Sequence, residues 1–144
     1  MTTQGNYVPS PSDWVRTQVD TIHATGTTGS VDIMGRPVVL LTMRGARSGA
    51  VRKVPLMRVE HEGAYAAVAS QGGAPTHPNW YHNLKAHPEI ELQDGAERFA
   101  VRARELPEAE RAEWWPRCVT AFPPYADYQQ KTDRVIPVFV LERL

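Results

Sequence analysis

Residues 37–59 read PVVLLTMRGARSGAVRKVPLMRV, two apolar segments on either side of a short connection that begins and ends with glycine. The β-branched residues of both segments favour extended backbone, and the connection is short enough for a hairpin. Pro55 lies inside the second segment, and because proline lacks an N–H it predicts an edge, a bulge or a ligand-facing position there. The stretch therefore predicts an antiparallel hairpin with strands over Pro37–Met43 and Val51–Val59.

Capping and turn signals on both sides extend this hairpin into a mixed pattern of strands and helices. The further predicted strands are Ala64–Ser70, Glu89–Gln93, Glu97–Glu105 and Val135–Leu141, and the predicted helices are 10–26, Pro78–Lys85, Glu108–Thr120 and Ala126–Lys131. About six short strands in hairpins pair antiparallel and remove their exposed edges best by closing into a barrel. We predict an α+β fold on a small antiparallel β-barrel, as one domain over residues 1–144 with a helix and loop at 1–30.

Charge is distributed unevenly in this chain, although 16 basic and 16 acidic residues make it neutral overall. The segment from Arg36 to Arg58 contains no acid, whereas acids concentrate from Glu89 to Glu113. The basic residues of the segment 36–58 are Arg36, Arg44, Arg47, Arg52, Lys53 and Arg58. Such a block indicates either a local anion site or a solvated strand face, and a neutral chain with an acidic second half argues against binding to nucleic acid.

Targeting and metal-binding signals are weak throughout. No apolar run approaches the roughly 20 residues of a membrane helix, and MTTQGN at residues 1–6 does not resemble a signal peptide. Cys118 is the single cysteine, which fits a reducing compartment, so we expect a cytoplasmic protein without an integral membrane segment. His77, His82 and His87 recur every five residues and would point to different sides of a helix, which predicts no metal site.

Residues 45–53, GARSGAVRK, favour binding of a polyanion. Glycines allow backbone N–H groups to approach a ligand closely, and guanidinium groups match phosphate or carboxylate oxygens two at a time. Residues 69–84, ASQGGAPTHPNWYHNL, place a Gly-Gly loop before a helix that begins at a proline. This arrangement either presents free N–H groups to a ligand or is simply a tight turn beside a packed Trp80.

Two tyrosines mark a third segment, FPPYADYQQKTDRVIPV at residues 122–138. Tyr125 and Tyr128 are three residues apart and would share one face of a helix. Their rings could line an apolar pocket and their hydroxyls could donate to a developing oxyanion. Ordinary core side chains would show the same spacing, so both interpretations stand at this point.

Together, the three segments resemble the deazaflavin-dependent nitroreductases of actinobacteria, over about Val38–Leu144 and with the same order and spacing. The resemblance implies a split β-barrel of the FMN-binding split-barrel type that binds the 8-hydroxy-5-deazaflavin coenzyme F-420. It implies a reductase that transfers a hydride from this coenzyme to an unsaturated ketone or lactone of the coumarin and furanocoumarin type, a quinone or a nitroaromatic compound. The rival hypotheses are an FMN-dependent enzyme on the same barrel and a non-catalytic deazaflavin carrier, as a monomer or a homodimer.

The resemblance also assigns roles to individual residues. The phosphate and oligoglutamate tail would meet Arg47, Ser48 and Arg52, and the backbone around Val54, Pro55 and Leu56 would face the ring. Ser70, Gly72 and Gly73 would line the ring and ribityl region, and Trp80, Tyr81 and Asn83 would support the phosphate side or the pocket wall. The further cofactor-binding candidates are Arg44, Ala69 and Gln71. Tyr128, Tyr125 and Ser70 are the catalytic candidates, with a tyrosine or water as proton donor.

Five positions depart from the family pattern: Met43, Arg44, Ala46, Gln71 and Phe122. Ala46 stands where a basic residue is common, and Arg44 would restore that charge from a neighbouring position. Gln71 replaces a frequent lysine, and Phe122 removes the hydroxyl of the first tyrosine position. Met43 replaces a small or hydroxyl residue, and together these departures concern the tail contacts and the acceptor pocket.

Overall fold

Strands and helices alternate along the computed structural model, which describes residues 6–144. The strands are β1 (Val38–Arg44), β2 (Val51–Met57), β3 (Glu60–His61), β4 (Ala64–Val68), β5 (Glu89–Asp94), β6 (Glu97–Glu105) and β7 (Val138–Arg143). The helices are α1 (Asp13–Thr25), α2 (Asn79–Ala86), α3 (Glu108–Ala121) and α4 (Pro124–Gln130). The expectation that no signal peptide is present rests mostly on residues 1–5, which lie outside the described part of the chain.

All seven strands of the described chain form one antiparallel sheet in the order β2-β1-β5-β6-β7-β4-β3. Its two edge strands, β2 and β3, follow one another in the chain, with only Arg58 and Val59 between them. The Ala66 N–H donates to the Val59 carbonyl at 2.9 Å, so this short link joins the edges of the curled sheet. The predicted split β-barrel is therefore confirmed.

The predicted strands differ from the structure in number and in several bounds, and those predicted to end at Val59 and Ser70 end at Met57 and Val68. Strand β3 was not predicted, since two residues are too few for an alternating pattern, and the sheet has seven strands rather than about six. The last strand begins at Val138 rather than Val135. Pro137 has no N–H, and its carbonyl accepts from the Ala69 N–H at 2.9 Å, so the chain meets the loop after β4 before it enters the ladder.

Alternation along the strands creates one core inside the barrel and others outside it. Inside, Val39, Leu41 and Leu92 are buried, and Leu84 of α2 packs against them. Outside, the remaining helices cover the sheet. Helix α1 packs the fully buried Val19 and Ile22 on Leu40, while α3 and α4 cover β4 and β7 with Trp114, Cys118 and Tyr125. Each fully buried aliphatic side chain contributes about 1.5–3 kcal/mol to the free energy of unfolding.

The outward edge of β2 explains the proline in this strand. The N–H and C=O of Val51 bond to Asn6 and Val8, away from β1. Backbone groups alternate in direction along a strand, so the position of Pro55, four residues later, also faces away from β1. A proline therefore removes no hydrogen bond from the ladder, and the predicted edge position is confirmed.

Within the described residues, no helix combines the length and apolar character needed to cross a membrane.

One end of the barrel is closed by a cluster of polar side chains. The Arg58 Nε–H donates to both carboxylate oxygens of Asp94 at 3.0 Å, and the Tyr65 hydroxyl donates to Asp94 Oδ2 at 2.6 Å. Burial, together with the hydrogen bond to Asp94, raises the pKa of Tyr65 to about 12. The cluster ties together the end of β2, strand β4 and the turn between β5 and β6.

Replacing Tyr65 by phenylalanine should lower the free energy of unfolding by roughly 1–2 kcal/mol, because the Asp94 carboxylate loses a donor. The pKa of Tyr65 in the folded protein lies above its ordinary value of 10. The stabilisation is therefore complete below pH 10 and is lost as the pH rises toward 12. Urea denaturation at a series of pH values measures both effects.

Tyr7→Phe serves as the control, since the Tyr7 ring packs at the surface beside His23 and Lys53. Its effect should stay within about 0.5 kcal/mol. Equal losses from the two substitutions would contradict the role given to Tyr65.

Candidate active site

The turn between β1 and β2 is built to expose its tip. The Gly45 N–H donates to the Ala50 carbonyl at 2.7 Å, and the Gly49 N–H donates to the Gly45 carbonyl at 3.0 Å. Gly49 has a φ of 69°, in the left-handed region where glycine is favoured. The Ser48 hydroxyl accepts from the Ala50 N–H at 3.1 Å, and Arg47 is left exposed at the tip.

Helix α2 docks on this tip and forms a cavity of about 570 Å³ with it. The Ala46 N–H donates to Asn83 Oδ1 at 2.9 Å, which joins the two elements. The cavity is lined by Gly45, Ala46, Arg47, Ser48 and Arg52 of the hairpin and by Asn79, His82 and Asn83 of the helix. The structure thus brings the predicted Arg47, Ser48, Arg52 and Asn83 together in one place.

Four residues that line this cavity were not among the predicted site residues: Gly45 and Ala46 of the hairpin, and Asn79 and His82 of α2. Asn79 lies three positions before His82 and four before the predicted Asn83, so it is a neighbour of both on the helix. This helical spacing is the signal that could have found Asn79 and His82.

Arg44, by contrast, is not brought to this cavity. Side chains alternate along β1, so Arg44 faces the side opposite Met43. Its Nη1–H donates to the Gly49 carbonyl at 2.8 Å, and it lines a separate cavity of about 280 Å³ with His87 and Arg102. Arg44 therefore braces the hairpin from the outside of the sheet.

An apolar strip continues from the cavity along β2. Arg52, Val54 and Leu56 lie on one face of the strand and pair with Met43, Leu41 and Val39 of β1. Val54 and Leu56 are half-buried and, like Trp80, pack against the interior core. Pro55 points to the other face and is buried. The strip leaves two aliphatic side chains within reach of a ligand at the open edge of the sheet.

The loop after β4 has a strained and closely packed backbone. Gln71, Gly72 and Gly73 all have positive φ, at 45°, 63° and 82°. A Cβ on Gly73 would lie 2.7 Å from the Tyr128 carbonyl oxygen, so the loop packs directly on α4. The two glycines adopt this conformation readily, so the strain lies at Gln71. Such strain persists only where the surroundings hold it, and it concentrates at ligand sites. Ser70 is buried at the base of this loop, and Gln71 is exposed.

A single arginine holds the loop from behind. The Arg134 guanidinium donates to the carbonyls of Ala69, Ser70 and Ala74 at 3.1, 2.8 and 2.9 Å. Its Nη1 also lies 3.0 Å from His77 Nδ1, and since a guanidinium only donates, this nitrogen accepts. Burial and the nearby Arg134 lower the pKa of His77, which keeps the imidazole neutral. The sequence analysis gave Arg134 no role, and no local pattern identifies one.

The aromatic residues of α2 support the site rather than line the anion cavity. The Tyr81 hydroxyl donates to Glu105 Oε1 at 3.0 Å, and the Lys85 ammonium donates to the same oxygen at 3.0 Å. The Tyr81 ring stacks on His77 with centroids 4.1 Å apart. Trp80 lies against Phe139, 6.2 Å between centroids, where it borders the interior core.

The two tyrosines of α4 occupy different environments. Tyr125 is 5% exposed, and its burial raises the pKa of its hydroxyl well above the ordinary range. Phe122, which stands in the first tyrosine position of the family pattern, packs on it at 5.0 Å in the same core. Tyr128 is half-buried, 6.3 Å from the Tyr125 ring, with the Lys131 ammonium 5.6 Å from its own ring centroid. Of the two hydroxyl-bearing rings, Tyr128 is the one that solvent reaches more readily.

Among residues 6–144, no group of three or more His, Cys, Asp or Glu side chains is arranged to hold a metal ion.

Comparisons with known proteins agree on one family. The family model described as F420H(2)-dependent quinone reductase matches residues 14–143. A Mycobacterium tuberculosis protein named F420H(2)-dependent quinone reductase is 40% identical over 111 residues, 74% of this chain and 74% of its own.

Two solved structures are also similar to this chain. One, titled as an F420-H2 dependent reductase (FDR-A), has a TM-score of 0.71 at 56% identity, covering 78% of this chain and 99% of its own. The other, titled as a domain-swapped dimer, has a TM-score of 0.73 at 55% identity, covering 92% and 100%.

The packing of the Gly-Gly loop on α4 can be tested by comparing two alanine substitutions. Gly72→Ala adds a Cβ in open space, so it should cost only the left-handed backbone penalty of about 1–2 kcal/mol. Gly73→Ala has the same penalty and also a clash with the Tyr128 carbonyl, and should destabilise the protein clearly more. Urea denaturation of both variants gives the comparison. An equal loss in the two would show that the loop does not pack on α4 as described.

Proposed function

The chain belongs to the F420H(2)-dependent quinone reductase family, and from this membership we propose that it transfers a hydride from reduced coenzyme F-420 to an electron-poor organic acceptor. The observation that carries the proposal is the row formed by Arg52, Val54 and Leu56 on one face of β2. This row connects a cavity lined by cationic side chains to a half-buried apolar strip. A coenzyme with an anionic tail and a flat ring system requires both surfaces.

The residues present fit this coenzyme. Arg47 and Arg52 supply guanidinium groups suited to phosphate and carboxylate oxygens, and the Ser48 hydroxyl and the Asn83 side chain add neutral polar contacts. Val54 and Leu56 would support one side of the ring. The loop at 70–73, which includes two glycines, would let backbone amides approach the ring and ribityl region. Arg44 would act on the tail only through the hairpin that it braces.

When bound, the reduced coenzyme supplies the hydride, and the protein supplies orientation and electrostatics. Negative charge develops on the acceptor oxygen during transfer, and the hydroxyls of Tyr128 and Ser70 would donate hydrogen bonds to it. Tyr125 would fix the position of the Tyr128 ring from the core. Tyr128 or water would deliver the proton. Burial raises the pKa of the Cys118 thiol to about 12, so this residue stays protonated and takes no part.

We propose planar and largely apolar acceptors: quinones first, then unsaturated ketones, coumarin-type lactones and nitroaromatics. The support is the apolar surface around α4, which the half-buried Tyr128 ring and the exposed Val135 provide, whereas Phe122 is buried in the core. We further propose that the chain can form a homodimer, since a similar protein is titled as a domain-swapped dimer.

Coenzyme binding should depend on the two arginines of the cavity. Arg47→Gln and Arg52→Gln should each weaken the binding of oxidised coenzyme F-420 by about tenfold or more, because each removes a charge-assisted contact of about 1.5–3 kcal/mol. Added salt should weaken the wild type more than either variant. Calorimetric titration measures both effects.

Arg98→Gln is a matched control, since Arg98 is an exposed arginine of β6 outside the cavity. Its affinity should equal that of the wild type. The proposal fails if the wild type gives no heat with coenzyme F-420 or binds FMN more tightly. Binding without turnover of any acceptor would indicate a carrier.

The accessible tyrosine should matter for the transfer step. Tyr128→Phe should slow single-turnover reduction of menadione by about 10- to 100-fold while the dissociation constant of the coenzyme stays unchanged. Stopped-flow absorbance of the reduced coenzyme measures the rate. A full rate in Tyr128→Phe with a loss in Tyr125→Phe would move the donor role to the deeper hydroxyl, and full rates in both would leave water as the donor.

A further inference from the structure

Arg134 lies between α4 and β7, and lines none of the cavities described above. Its guanidinium is nevertheless committed to four acceptors in one segment, the carbonyls of Ala69, Ser70 and Ala74 and the Nδ1 atom of His77. These contacts span 57 to 65 positions in sequence, so the ends of the loop converge on one side chain from a distant part of the chain.

We infer that Arg134 is a positioning residue, which holds residues 69–77 in the shape needed for the coenzyme ring and couples this loop to the helix that carries Tyr128. In its kinetic consequences, the inference rests on the function proposed above. In its structural part, it concerns the protein without any ligand.

The chemistry of the guanidinium suits this task. Arginine presents five N–H donors in a rigid planar fork, whereas lysine offers a compact point charge on a flexible stem. Three carbonyls that converge on this fork are satisfied together. Between the first two and the third lies Gln71, a non-glycine residue with a φ of 45°. Such strained backbone requires contacts from outside the loop to hold it. The Arg134 guanidinium supplies them, and we call this side chain with its four acceptors the clamp.

The backbone of residues 134–136 is itself fixed to two helices. Gln129 Nε2–H donates to the Arg134 carbonyl at 2.8 Å, and Gln129 Oε1 accepts from the Ile136 N–H at 2.9 Å. The same oxygen accepts from Arg111 Nη2 at 3.0 Å, and Arg111 Nε–H donates to the Ile136 carbonyl at 2.8 Å. Gln129 follows Tyr128 in α4, so the acceptor-side helix and the loop are joined through the clamp.

A second connection runs toward the anion cavity. His77 accepts from Arg134 and stacks on Tyr81, whose helix α2 also carries Asn79 and Asn83. The clamp thus reaches the tail side, the ring side and the acceptor side of the proposed site. Gly73, packed on the Tyr128 carbonyl, gives the loop an independent contact with α4.

The test compares Arg134→Gln, which removes the charged fork, with Arg134→Lys, which keeps the charge. Amide hydrogen exchange is measured on the protein without coenzyme, and steady-state kinetics are measured with reduced coenzyme F-420 and menadione. We expect exchange in residues 69–77 to rise by about tenfold or more in Arg134→Gln while β1 and β5 keep their protection. We expect kcat/KM for the coenzyme to fall by about 10- to 100-fold, with changes in both KM and kcat, because small misplacements have effects of this size.

Arg134→Lys should recover part of both losses. Arg104→Gln is the control, since it removes an exposed arginine paired with Glu110 and should change neither measurement.

The inference is wrong if exchange in the loop is unchanged in Arg134→Gln, or if it rises equally over the whole sheet as in general destabilisation. If Arg134→Gln does not fold, Arg134→Lys is compared with the wild type instead. The inference would then be wrong if Arg134→Lys showed the same loop exchange and the same kinetics as the wild type. Absence of coenzyme turnover in the wild type would refute the proposed function instead, and the exchange measurement would still decide whether Arg134 holds the loop.

Discussion

The backbone of β2 bonds to a neighbouring strand along one side only, and this constraint shapes the rest of the molecule. On its outward side, the described hydrogen bonds join Val51 to residues 6 and 8 and, beyond the strand, Val59 to Ala66. The outward side of β2 is thus bonded to the N-terminal segment near one end and, through Val59, to β4 near the other, and the described hydrogen bonds leave its middle open. Pro55 fits that open stretch because it needs no partner for an N–H. The side chains of Arg52, Val54 and Leu56 reach the same opening from the inner face, so the break in the barrel is also where we propose that the coenzyme binds.

The basic block of the hairpin serves several purposes, so neither an anion site nor a solvated strand face describes all of it. Strand alternation sends neighbouring cations to different surroundings. Arg47 and Arg52 line the cavity beside α2, whereas Arg44 donates to the Gly49 carbonyl, Arg58 pairs with Asp94, Lys53 lies beside His23 and Arg36 donates to the Ala121 carbonyl. Only part of the charge therefore faces the cavity that we propose as the anion site, and the rest fixes the hairpin and the barrel end that hold the cavity in place.

The loop after β4, which would form the other wall of the proposed coenzyme site, depends on backbone geometry more than on charge. Three consecutive residues with positive φ turn the chain after β4, and Gly73 lets this turn touch α4 where any Cβ would collide with the Tyr128 carbonyl. Arg134 satisfies the carbonyls that the turn leaves pointing inward. A rigid loop of this kind can present amide groups and a serine hydroxyl to a ring without reorganising when a ligand arrives, which is what electrostatic stabilisation of a developing charge requires.

The sequence by itself determined the elements whose signals are local. The hairpin at 37–59, the helix that ends at Gly26, the Asp94-Gly95 turn and the edge position of Pro55 follow from residue preferences and alternation, which act between near neighbours. The order and spacing of three motifs also sufficed to identify the family and its fold. Only the tertiary structure decided which candidates meet. It separated Arg44 from Arg52, buried Tyr125 while leaving Tyr128 accessible, added Asn79 and His82 to the cavity, and set Arg134 behind a loop more than 50 positions away in sequence. These outcomes depend on sheet register and helix docking, which sum many weak contacts between distant segments. Local spacing can place residues on one face of an element, but it cannot show which faces meet.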